Sequence, residues 1–121
     1  MKKILLVEDE PDLVKLLTLR FQAAGYEVMI ACDGQQALDL VGQDAPHLIV
    51  LDLMLPKVDG YEVCQRLKAD QRTQKIPILV LTARSTEEEL KTALDCGADA
   101  VFTKPFDPQT LLAKTSELLI R

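Results

Sequence analysis

Apolar positions along the chain follow two alternating regimes. Five short runs are rich in β-branched and leucine residues: KILLV at 3–7, EVMIA at 27–31, LIVLD at 48–52, ILVLT at 78–82 and AVFTK at 100–104. Three of them are nearly continuous apolar stretches, the pattern of strands covered on both faces. Between the runs, apolar residues recur with helical spacing. Leu13, Leu17, Phe21 and Ala24 fall on one face, with Pro11 suited to a first turn and Gly25 to a C-terminal cap. A shorter second helix is carried by Ala37, Leu38 and Val41, and a third opens near Gly60 with Val63, Cys64 and Leu67 inward. The fourth begins at STEEEL, where Ser85 and Glu88 suit a capping box, and Gly97 stops it. Asp107 as N-cap and Pro108 at the first helical position open a fifth, which buries Leu111, Leu112, Leu118 and Leu119.

Strand and helix thus alternate five times, which predicts a parallel sheet with right-handed crossovers and helices on both faces. The expected fold is α/β: a flavodoxin-like (βα)5 doubly wound open sheet in the order 2-1-3-4-5. Its site lies beyond the C-terminal strand ends, near the switch between the first and third strands. At 121 residues the chain is sized for one core, so a single domain over 1–121 is expected. No linker, repeat or low-complexity segment interrupts it.

Composition narrows the function. With 48% hydrophobic and 27% charged residues the chain reads as a soluble globular protein. Its apolar runs are too short to span a membrane and no signal peptide opens it, so a cytoplasmic location with no membrane partner is expected. A net charge of −5 argues against direct nucleic-acid binding, which relies on clustered Lys and Arg. Cys32, Cys64 and Cys96 form no CxxC pair and have no neighbouring His, so they read as reduced structural thiols.

Asp52 stands at the end of the apolar run LIVLD, where a bare carboxylate is costly to bury. The other strand ends supply its company: Glu8 and Asp9 after the first strand, Thr82 at the fourth and Lys104 at the fifth. Three carboxylates at one crevice repel unless a cation neutralises them. An all-oxygen set with room for water suits Mg²⁺. Lys104 balances remaining charge, while the Thr82 hydroxyl and the N–H of small Ala83 offer hydrogen bonds to an incoming oxygen. Such a site is equipped for phosphoryl transfer, with Asp52 as the acceptor that becomes an acyl phosphate.

The strings LLVEDE, LIVLDLMLPKVDGYE, ILVLTA and GADAVFTKPF, in this order and spacing, resemble the receiver domain of two-component response regulators. The resemblance spans essentially the whole chain. It implies that Glu8 and Asp9 are the acidic pair, Asp52 the phosphorylated residue, Thr82 the switch hydroxyl and Lys104 the conserved-type lysine. It further implies that the Met54 carbonyl joins Glu8, Asp9 and Asp52 around Mg²⁺, and that the Lys104–Pro105 bond is cis. The implied donor is a phosphohistidine on a sensor histidine kinase or a histidine phosphotransfer protein. A downstream output domain or protein receives the signal. The receiver catalyses only its own phosphorylation and slow dephosphorylation, so it is not otherwise an enzyme. Met54 and Arg84 occupy the positions that tune the lifetime of the acyl phosphate, and their length implies partial shielding.

Two features depart from the family pattern. Val101 stands three positions before the lysine, where receivers carry a switch aromatic; Phe102 is adjacent but points to the opposite face. Much of the ion-pair set that laces dimers of winged-helix regulators is also missing from GADAVF, TLLAK and Leu90. The expectation is therefore a stand-alone, relay or excised receiver. The rivals are a flavin carrier, disfavoured because VEDEPD would repel phosphate, and an aspartyl-phosphate phosphohydrolase, which would need a second Asp where Met54 stands. A degenerate scaffold is disfavoured because every expected site residue is present. His47, Tyr26 and Tyr61 read as loop, packing or surface residues, and the Glu run 87–89 as a solvated helix start.

Overall fold

Strand and helix alternate strictly in the computed structural model, which describes residues 1–55, 58–83 and 86–120. The order is β1 (Lys3–Val7), α1 (Pro11–Ala23), β2 (Glu27–Ala31), α2 (Gly34–Gln43) and β3 (Leu48–Asp52), followed by α3 (Gly60–Ala69), β4 (Ile78–Thr82), α4 (Glu87–Asp95), β5 (Ala100–Thr103) and α5 (Pro108–Leu119). All strand pairs are parallel and the sheet order is β2-β1-β3-β4-β5.

The central strands are apolar throughout because side chains of opposite parity enter two separate cores. Leu5, Val7, Ile49, Leu51, Ile78 and Val80 meet Ala37, Val41, Val63, Cys64 and Ala93 from α2, α3 and α4. Ile4, Leu6, Leu48, Val50, Leu79 and Leu81 meet Leu17, Phe21, Leu111 and Leu118 from α1 and α5. The parity separates two neighbours on β5: Val101 packs in the first core, Phe102 in the second. Tyr26 packs edge-on against Phe21 with ring centroids 6.0 Å apart.

Several helix ends follow local chemistry. Asp33, Asp59 and Asp107 accept from the backbone N–H groups of Gln36, Glu62 and Gln109, each satisfying a donor with no intrahelical partner. Gly25 and Gly97 take positive φ of 93° and 103° beyond the ends of α1 and α4.

Four local expectations are corrected. Ala24 lies in the cap of α1 and is exposed, since the helix ends at Ala23. The cap of α4 is Thr86, whose hydroxyl accepts from Glu89 N–H at 3.2 Å; the expected Ser85 lies outside the described residues. Lys104 falls just beyond β5, because Pro105 has no N–H with which to extend the ladder. Glu89 is half-buried and accepts a 2.8 Å hydrogen bond from the Tyr61 hydroxyl, so neither residue is merely solvated. The Lys104–Pro105 peptide is cis.

The remaining polar residues serve the frame. His47 exchanges two hydrogen bonds with Lys3, its Nδ1 accepting from Lys3 N–H and its own N–H donating to Lys3 O, both 2.9 Å. Cys64 and Cys96 are buried free thiols, Cys64 Sγ donating to Cys96 O at 3.3 Å, while Cys32 is free and exposed. Burial pushes the Cys64 thiol up to about 11, which suits a structural rather than a reactive group. Among the described residues no helix is long and apolar enough to cross a membrane.

Candidate functional site

The sheet register brings the charged strand ends to one edge. Glu8 extends β1, its N–H donating to Ala31 O at 3.0 Å. Asp52 ends β3 opposite Leu81 of β4. The Lys104 N–H donates to Thr82 O at 2.7 Å, so the lysine hangs from the end of the β4–β5 pair. These four elements converge because neighbouring parallel strands end level with one another.

Two of the carboxylates are withdrawn from water: Glu8 is 0% and Asp52 3% exposed. Each is held by fixed donors. Glu8 Oε2 accepts from the N–H groups of Asp9 (3.1 Å) and Glu10 (3.3 Å), and its Oε1 accepts from Lys104 Nζ at 2.9 Å. Asp52 Oδ1 accepts from Met54 N–H at 3.0 Å, and its Oδ2 from the same Lys104 ammonium at 3.2 Å. One cation therefore serves two buried anions, which leaves the cluster short of positive charge.

Proton affinities register that shortage. Burial, then hydrogen bonding with Asp52, pushes the Glu8 carboxyl up to about 7 against the pull of Lys104. Burial alone would lower Lys104; the bond to Glu8 and the charges of Asp52 and Glu8 outweigh it and hold the ammonium above its ordinary value.

Glu8, Asp9 and Asp52 each bring a carboxylate oxygen within 4.8 Å of the others, and they are the one such cluster among the described residues. Asp9 is exposed, so the cluster opens to water on one side. An all-oxygen donor set, a charge deficit and a wet side together fit a small hard dication that keeps part of its hydration shell.

Of the other residues singled out in the sequence, Thr82 is 1% exposed at the end of β4 and Ala83, just after it, is exposed. Met54, two residues after Asp52, is 51% exposed. Val101 lies on the Ile78–Val80 face of the sheet, half-buried. Arg84 lies outside the described residues.

Sequence reasoning missed three features, two near the pocket and one, at Lys68, in the frame. The Tyr61–Glu89 bond joins α3 to α4. Lys68 reaches from α3 to Gln74 O, Ile76 O and Asp99 Oδ2, at 3.2, 3.0 and 3.1 Å. Gly60 allows its backbone to meet that of Asp52 and Leu53, and Gly34 allows α2 to meet the backbone of Val58. The one local hint was a glycine directly after each of the cap residues Asp33 and Asp59.

A doubly wound parallel sheet with a lysine-capped acidic pocket at its C-terminal edge defines a class of flavodoxin-like receiver modules. The chain belongs to the response regulator receiver domain family, whose profile matches residues 4–116. It is 46% identical over 121 residues to the DNA-binding dual master transcriptional regulator RpaA of Synechocystis sp., covering 100% of this chain and 50% of that protein. The chain spans about half the length of the curated relatives it matches. Among solved structures, chemotaxis protein CheY4 of Vibrio cholerae superposes with a TM-score of 0.91 at 31% identity, covering 98% of this chain and 99% of that one. The receiver domain of sensor histidine kinase PA1611 from Pseudomonas aeruginosa superposes with a TM-score of 0.91 at 28% identity, covering 99% and 98%; that structure has a magnesium ion in its active-site cleft. The chain is thus a signalling module of two-component systems.

Proposed function

We propose that residues 1–121 act as one receiver unit that accepts a phosphoryl group on Asp52 from a phosphohistidine of a sensor kinase or phosphotransfer protein. The observation that carries this reading is the single Lys104 ammonium bonded to both Glu8 and Asp52. It leaves Asp52 nearly buried, oriented by Met54 N–H, and in a pocket still lacking positive charge.

In the transfer, an Asp52 oxygen attacks phosphorus while the phosphorus–nitrogen bond to the donor imidazole breaks, its electron pair staying on the nitrogen. Lys104 holds the carboxylates apart from outright repulsion and is free to turn to the phosphoryl oxygens. The Thr82 hydroxyl and Ala83 N–H are assigned to another of those oxygens. Glu8, Asp9, Asp52 and the Met54 carbonyl would hold Mg²⁺, which would supply the charge neutralisation that phosphoryl transfer requires. Hydrolysis of the acyl phosphate is the slow reverse of the signal, with Met54 and Arg84 setting its rate by shielding. The unit then switches conformation for a downstream domain or protein, through Thr82 and without an aromatic at Val101. It works in the cytoplasm, binding neither nucleic acid nor membrane itself.

The test is intact-mass measurement after incubation with Mg²⁺ and acetyl phosphate. One added phosphoryl group on the wild type, and none on Asp52→Asn, is the expected result; equal labelling of both would sink the assignment. Sedimentation with Mg²⁺ and beryllofluoride then distinguishes a dimerising switch from a monomeric relay.

A further inference from the structure

The first turn of α2 meets the loop between β3 and α3 at a distance that only glycine permits. A Cβ at Gly34 would overlap Val58 O and lie 2.9 Å from Val63 Cγ2. The first of these atoms is backbone, so a side chain at this position can be accommodated only by moving the loop. The other glycine of the same helix, Gly42, is exposed and a Cβ there would meet nothing within 4 Å. The close approach is therefore a property of one end of α2, the end nearest the acidic pocket.

Both sides of that contact lead to the carboxylates. On one side, Asp33 caps α2, Cys32 N–H donates to Gln36 Oε1 at 2.6 Å, and the preceding Ala31 O receives Glu8 N–H at 3.0 Å. On the other, Val58 precedes Asp59, the cap of α3, and then Gly60. A Cβ at Gly60 would lie 2.5 Å from Leu53 Cα and 2.7 Å from Asp52 O, and Gly60 N–H donates to Leu53 O at 3.3 Å. The next residue, Met54, donates to Asp52 Oδ1. Gly34 is thus the spacer between an arm that carries Glu8 and an arm that carries Asp52 and Met54.

We infer that Gly34 is a positioning residue for the acidic pocket: its bare Cα sets the spacing between the Glu8 arm and the Asp52–Met54 arm on which Mg²⁺ coordination depends. The inference rests on the reading that this pocket takes Mg²⁺. A displaced loop alters where the donors of the second arm stand without removing any of them, so metal affinity should fall while the donor set stays intact.

The experiment compares wild type, Gly34→Ala and Gly42→Ala by circular dichroism and by titration calorimetry with MgCl₂. The expected result is a folded Gly34→Ala variant whose Mg²⁺ affinity is about tenfold weaker. Gly42→Ala, which gains helix propensity in the same helix, should keep wild-type affinity. A folded Gly34→Ala variant with wild-type affinity would overturn the inference alone. Wild type that fails to bind Mg²⁺ would overturn the reading beneath it. Should Gly34→Ala not fold, ¹⁵N spectra of the wild type decide. Gly34 and Val58 amides that shift in step with Met54 during Mg²⁺ titration support the spacer, and a Gly34 amide that stays still overturns it.

Discussion

Lys104 Nζ stands 3.2 Å from Asp52 Oδ2 while also bonding Glu8, so the lysine restrains two buried carboxylates that would otherwise repel. Removing one charge from this trio has opposite effects depending on its sign. Asp52→Asn takes away repulsion and should stabilise the metal-free protein by about 1 kcal/mol while abolishing phosphorylation. Lys104→Met leaves both carboxylates uncompensated and should cost about 2 kcal/mol, below the fully buried case because the lysine is 25% exposed. Urea unfolding in chelator measures both; destabilisation by Asp52→Asn would contradict this account of the pocket.

Glu8 gives the metal-free protein a pH dependence of defined sign. Its folded pKa of about 7 lies above the ordinary 4.5, so the folded state retains a proton that the unfolded chain releases between those values. This contribution is fully present below about 4.5 and is lost as pH rises through about 7. Metal-free wild type should therefore lose stability relative to Glu8→Gln between those limits, as read from urea midpoints in chelator. Because the same proton must leave before the carboxylate can bind a dication, Mg²⁺ affinity should rise with pH over this window, approaching tenfold per unit. Parallel stability curves for the two proteins would show that Glu8 does not titrate there.

The sheet was legible because covered parallel strands are continuous apolar runs, and four of the five strands begin and end where those runs do. The pocket was legible because parallel strands of similar length place their last residues together, so Glu8, Asp52, Thr82 and Lys104 could be grouped from strand position alone. The split between Val101 and Phe102 followed from strand parity for the same reason. Contacts between helices were not legible. Whether Tyr61 reaches Glu89, or Gly34 abuts Val58 just before α3, depends on how the helices and the residues leading into them are placed on the sheet, and neither residue's own neighbours in sequence encode that placement.

Lys68 separates the stability of the frame from the chemistry of the pocket. Its ammonium, on a side chain 20% exposed, ties α3 to the residues entering β4 and to Asp99 before β5, at the sheet edge remote from Asp52. Asp99 in turn accepts from Ile78 N–H at 2.8 Å, which fixes the start of β4. Lys68→Met should lower stability by roughly 2 kcal/mol, since it takes the ammonium from two carbonyls and from Asp99, which keeps its bond from Ile78 N–H. Phosphorylation of Asp52 at a temperature where the variant is folded should be unchanged. A large loss of phosphorylation in the folded variant would mean that the two ends of the sheet are coupled.

The Tyr61–Glu89 bond ties α3 to the first turn of α4. Tyr61 follows Gly60, whose backbone sits on that of Asp52 and Leu53. Glu89 lies in the first turn of α4, close after Thr82 and Ala83, and its N–H is bonded to Thr86 Oγ1. The hydroxyl thus fastens the first turn of α4 to α3, whose Gly60 rests on the backbone of Asp52 and Leu53. Tyr61→Phe deletes one hydrogen bond to a charged acceptor, at a cost of about 1 to 2 kcal/mol given partial exposure. Its effect should be local: amide exchange in the first turn of α4 should quicken several-fold while α3 and the sheet keep their protection. Hydrogen-exchange mass spectrometry of the unmodified protein reads this directly. Unchanged protection in α4 would show that the bond does not hold the helix.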